Sequence, residues 1–117
     1  MYVSFAVSAP YLETRVKPEL VFALQPDPTT TADDTELLVD SDRTILVNEP
    51  LGQVATKMGG DFRQFEQGSS TDTIWINRLL VVQILPHATM PGVCYVMGAH
   101  RRVTVKGTLA AVTNILN

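Results

Sequence analysis

Apolar positions recur along this chain with a period close to half its length. Arg43 to Met58 reads RTILVNEPLGQVATKM, and Arg101 to Leu116 reads RRVTVKGTLAAVTNIL. Displaced by about 58 positions, Ile45 falls on Val103, Val47 on Val105, Leu51 on Leu109, Val54 on Val112 and Met58 on Leu116. Upstream, LVFALQP (Leu20 to Pro26) lies over LVVQILP (Leu80 to Pro86) at a displacement of about 60. The pattern predicts two copies of one small unit, residues 1–59 and 60–117, joined within a single domain.

Each unit reads as four or five strands and a helix. Val3, Phe5 and Val7 alternate with Ser4 and Ala6, the period of a half-buried strand; Phe62, Gln64 and Glu66 hold the matching place. Pro10 and Gly68-Ser69-Ser70 mark the turns that follow. Thr73 to Ile76 is β-branched and aromatic, which favours a strand. Its counterpart, Thr14 to Lys17, ends at Pro18 and suits an edge. The continuous apolar runs LVFAL and LVVQIL are expected to be central strands. The acidic stretch Asp27 to Thr35 is expected to be an exposed, mobile hairpin tip, with His87 to Gly92 as its shorter counterpart. Leu37 to Val39, Thr44 to Val47, Cys94 to Val96 and Val103 to Lys106 complete the strands, with turns at Ser41-Asp42 and Gly98 to His100.

A short helix closes each unit. Thr108 is placed to cap the second, and Pro50 to occupy the first helical position of the first, where its missing N–H has no partner to lose. Gly59-Gly60 stops that first helix. Helices this short need tertiary packing, so Leu51, Val54, Leu109 and Val112 are expected to be buried against the sheet. The predicted fold class is α+β: two tandem repeats of an antiparallel β-meander, each closed by a helix.

The chain has 117 residues, of which 45% are apolar and only 18% charged. Its length is that of one domain able to bury a core without staples. A surface with few charges points to a covering partner. The net charge of −3 is unevenly spread. Residues 1–59 carry nine acids and four bases, and residues 60–117 carry three acids and five bases. The halves therefore have opposite sign, −5 and +2, which reads either as drift after duplication or as attraction between opposite faces, within a ring or against a polyanion. No apolar run reaches the roughly 18 residues of a membrane span, and MYVSFAVSAP lacks the basic start of a signal peptide. A lone cysteine, Cys94, excludes an internal disulfide and reads as a buried thiol. A virion or cytoplasmic setting fits these features.

The second unit resembles the small FlbD-type proteins encoded with flagellar genes, through Ile76-Asn77, Val82, Ile84, Val103, Val105 and the closing Leu109, Val112 and Leu116. That resemblance implies a short β-meander with a closing helix and carries no catalytic residue. Two strand-rich units each ending in a helix are also similar in element order to the Whirly and Pur-alpha families. That likeness implies a sheet face able to take single-stranded nucleic acid. The acidic first half departs from those families, and their lysine-rich motif is absent.

Candidate chemistry is sparse. Two histidines, His87 and His100, and one cysteine fall short of the ligand set of a zinc site. Asp33, Asp34, Glu36, Asp40 and Asp42 lack the spacing of a calcium loop. Neither a phosphate-binding glycine loop nor a nucleophile elbow occurs. No catalytic set, cofactor or small-molecule substrate is therefore expected. The constellation with binding character is Arg63, Arg78, Arg101, Arg102 and Lys106 with Trp75 and Tyr95, since bases and stacking aromatics are what a single-strand binder needs. The first expectation is a non-enzymatic structural or interaction protein. It would form a homo-oligomer or join other proteins of an assembly such as a phage or virus particle. The alternative is a single-stranded nucleic-acid binder.

Overall fold

A computed structural model describes residues 1–29 and 33–117. Strands β1 (Val3–Ala6) and β2 (Glu13–Val16) form a hairpin, and a 3-10 turn, Pro18–Leu20, leads into β3 (Val21–Pro26). β4 (Thr35–Val39), β5 (Thr44–Val47) and helix α1 (Leu51–Met58) follow. The same order then runs again: β6 (Phe62–Glu66), β7 (Thr73–Asn77), a 3-10 turn at Arg78–Leu80, β8 (Gln83–Pro86), β9 (Val93–Met97), β10 (Arg102–Lys106) and helix α2 (Leu109–Leu116). Every strand pair is antiparallel, so the chain is α+β.

The strands form three sheets. A five-stranded sheet of order β5-β4-β3-β7-β6 lies in the middle. On one face the β1-β2 hairpin and α1 contribute Phe5, Val16, Val54 and Met58 to a core with Leu24, Leu37, Val47 and Phe62. On the other face the sheet β10-β9-β8 and α2 contribute Cys94, Val96, Val105, Val112 and Leu116, which meet Phe22, Ala23, Phe65, Ile74 and Ile76. β3 is apolar at successive positions because both of its sides are covered, Leu24 facing one core and Ala23 the other. β6 shows the same logic: Phe62 and Phe65, an odd number of positions apart, point to opposite faces.

Local chemistry sets the helix ends. The Thr108 hydroxyl accepts from the Ala111 N–H at 3.2 Å, as its place before an apolar stripe predicts. Gly59 ends α1 with φ of 101°, a conformation that strains other residues. Pro50 is the residue that precedes α1, not its first helical residue; its extended ψ of 147° carries the chain out of the turn at Asn48-Glu49.

Three further expectations need correction. LVVQIL is not a central strand: β8 is an edge, laddered only with β9. The 3-10 turn at Arg78–Leu80 carries the chain out of the five-stranded sheet, and β7 occupies the side of β3 that a later strand would need. Leu109 is 43% exposed, whereas Val54 and Val112 are fully buried and Leu51 is half-buried. It sits on the first turn of α2, at the rim of a groove shared with β8. The acidic segment is tied down at its ends. Asp27 is buried and accepts from the Thr29 N–H and hydroxyl, and the buried Thr35 hydroxyl donates to the Glu49 carbonyl at 2.8 Å. The centre of the segment, residues 30–32, lies outside the described residues.

Candidate interaction surface

The basic and aromatic residues singled out by sequence are spread over several layers. Trp75, on β7 opposite Leu24, packs on the core that contains Phe5 and Val54. Tyr95 stands on β9, in the sheet on the far side, between the inward-facing Cys94 and Val96. Trp75 and Tyr95 therefore do not share a face. Tyr95 stacks on His87 with ring centroids 4.7 Å apart, and the Arg102 guanidinium lies 4.7 Å from the same ring. Among the described residues this trio is the one cluster in which an arginine and a stacking aromatic come together.

The other bases are engaged within the chain. Arg63 donates to the Gly60 carbonyl, and Arg78 pairs with Asp61 at 3.0 Å. Arg101 donates to the carbonyls of Val39 and Arg43, joining the β9-β10 turn to the β4-β5 turn. Lys106 pairs with Glu66 across β10 and β6. His87 Nδ1 accepts from the N–H groups of Thr89 and Met90, a role in turn geometry. Cys94 is buried, and burial pushes its thiol above the ordinary cysteine pKa, which disfavours the reactive thiolate. Among the described residues no group of three or more His, Cys, Asp or Glu side chains is placed to hold a metal ion. No described helix is long and apolar enough to cross a membrane.

The feature that residue-by-residue reading missed is apolar and lies at the β8 edge. Val82 is 71% exposed, and Leu79 and Leu85 are exposed beside it. A groove of about 470 Å³ runs along this edge, lined by Val81, Val82, Ile84, Leu109, Thr113 and Leu116 among others. The available signal was the absence of any charge from Leu79 to Leu85. Two buried polar residues also escaped notice. Glu49 accepts from the Ala6 N–H at 2.7 Å and from Lys57 and Gln53. Burial alone would raise its pKa, but these donors together hold it below the usual value. Asn77 donates to the Val21 carbonyl at 3.1 Å and accepts from the Leu79 N–H, tying the second half to the start of β3.

Compared with protein-family models, with curated protein sequences and with solved structures, the chain matches none.

Proposed function

We propose that this protein is a non-enzymatic structural module that associates with itself within a larger assembly, such as a phage or virus particle, and that its halves are two copies of one unit. Strand registers support the duplication. Val3 lies opposite Val16 and Arg63 opposite Ile76; Leu24 lies opposite Leu37 and Ile84 opposite Val96; Val47 lies opposite Thr35 and Val105 opposite Cys94. Displacements of 58 to 60 positions carry each first pair onto the second.

One observation carries the assembly reading. The run LVVQILP has the composition of a strand covered on both faces, yet β8 stands at an open edge, with Leu80, Val81 and Ile84 on the core and Val82 and Leu85 exposed. An unpaired edge is a template for another strand, and the absence of charge from Leu79 to Leu85 lowers the cost of desolvation. Light scattering on a sizing column is the test, with and without a single-stranded oligonucleotide. The expected mass exceeds the 12.8 kDa of one chain. A monomer at all concentrations would reject the reading. Tight, salt-sensitive oligonucleotide binding lost on Arg101→Ala and Arg102→Ala would replace it with the nucleic-acid alternative.

A further inference from the structure

Among the described residues six strands lie at sheet edges: β1, β2, β5, β6, β8 and β10. Four of them meet in pairs. The Asn48 N–H, just past β5, donates to the Ala6 carbonyl of β1 at 2.7 Å. Gln67 bridges to Val105, and the Gly68 N–H donates to the Thr104 carbonyl at 2.9 Å, joining β6 to β10. Among the described residues, β2 and β8 are the two edges with no backbone bond on their outer side. They are not an arbitrary pair. In element order β2 corresponds to β7 and β8 to β3, and β7 pairs with β3 inside the chain, Ala23 opposite Ile76 and Leu24 opposite Trp75. The molecule contains this junction once and carries the two halves of a second one, unjoined.

We infer that β8 of one molecule accepts β2 of a second copy, antiparallel and in the register of the internal junction. This rests on the self-association proposed above and specifies its partner and geometry. Displaced by 60 positions, the register places Gln83 opposite Val16 of the second copy, and Ile84 opposite its Arg15.

Burial supports the assignment independently of backbone edges. At the internal junction Phe62 reaches from the second half into the core beside α1 and is 4% exposed. Its counterpart, Tyr2, is 59% exposed. The groove between β8 and α2 occupies the corresponding place in the second half and is open. Tyr2 of a second copy fills it, covering Leu109. In the reverse direction Phe22 is fully buried, while its counterpart Val82 is 71% exposed; the incoming hairpin covers it. The interface joins two different surfaces, so it propagates head to tail. It gives a ring where the rotation closes and a filament where it does not.

The test uses the full chain in a Cys94→Ala background. One variant carries Arg15→Cys and another Ile84→Cys, and they are oxidised alone and mixed. Directly opposed strand residues lie within disulfide range, so a crosslinked dimer is expected only in the mixture. Tyr2→Ala and Val82→Lys alter exposed positions, and each is expected to weaken association about tenfold or more with an unchanged circular dichroism spectrum. Efficient crosslinking of Ile84→Cys with itself would overturn the proposal in favour of two-fold pairing of β8 edges. An oligomer that keeps its mass in both surface variants and gives no mixed crosslink would overturn it while leaving self-association standing. A wild-type chain that stays monomeric would remove both readings.

Discussion

Glu49 offers a quantitative test of how the β1-β2 hairpin is held. Its buried carboxylate accepts from the Ala6 N–H, the Lys57 ammonium at 2.7 Å and the Gln53 amide at 2.8 Å. One side chain thus joins β1 to both ends of α1. Glu49→Gln keeps the size and one acceptor oxygen but removes the charge. A hydrogen bond to a charged group is worth roughly 1.5–3 kcal/mol. The Lys57 side chain is about a third exposed, so the ion-pair share is reduced by solvent. A net loss of about 1–2 kcal/mol at pH 7 is expected, or a fall in Tm of roughly 4–8 °C.

The pH dependence has a definite sign. The carboxyl pKa is lowered in the folded chain from an ordinary value of 4.5. The unfolded chain therefore binds the proton more readily, and the carboxylate contributes its stability above about pH 4.5. That contribution is lost as pH falls through the folded pKa. Urea unfolding followed by Trp75 fluorescence should show the wild type more stable than Glu49→Gln at pH 7. The gap should close progressively below about pH 4.5. A gap that is constant with pH, or that widens in acid, would refute the role assigned to the charge.

Two shorter predictions concern packing and the internal junction. Val112→Ala should cost roughly 2 kcal/mol, because a fully buried side chain leaves a cavity. Leu109→Ala should cost under about 0.5 kcal/mol in the monomer, and urea melts of both variants at low concentration would check the contrast. Asn77→Ala should cost roughly 1–3 kcal/mol, since it leaves the buried Val21 carbonyl without this donor; hydrogen exchange should show the start of β3 opening more readily.

Strand positions were legible wherever apolar residues alternated or a run was β-branched. Val3 and Phe5, Thr73 to Ile76, and Val103 to Lys106 reveal their strands by alternation or β-branching. The cap at Thr108 and the stop at Gly59 follow from local hydrogen bonding alone. Layer assignment was less legible. LVFAL and LVVQIL have the same texture, yet β3 becomes the middle strand and β8 an edge, because the outcome depends on which strand takes the open side of β3. Leu109 falls on the same helical stripe as Val112 but lies on the first turn, at the open rim of the groove beside β8. The proposed surface at Arg63, Arg78, Arg101, Arg102 and Lys106 was assembled from composition. Sequence does not reveal that Asp61, Glu66 and the Val39 carbonyl, each remote or on another strand, would engage those cations. Tyr95 and Arg102 come together because they lie two positions off register on paired strands, β9 and β10, and so are diagonal neighbours on one face.

The same junction has different consequences within a chain and between chains. Between β3 and β7 it comprises two register pairs, Phe62 and Trp75 packed on the first core, and the Asn77 hydrogen bonds. Inside the chain these contacts form at the high effective concentration that a short linker provides, on the order of millimolar. They need not be strong individually to close. The proposed contact between β8 and β2 of a second copy has no linker and must also offset the lost freedom of a second molecule. Its residues are weaker as well: Tyr2 stands for Phe62, Arg15 for Trp75 and Lys17 for Asn77. Free β2 carries Glu13, Arg15 and Lys17, which solvate its edge, whereas β8 has no such charge. On the proposed geometry the donor strand is tolerated in water and the acceptor is the side that benefits from cover. Association then depends steeply on local concentration. Were that junction to form, the chain would stay apart when dilute and join head to tail where many copies are gathered.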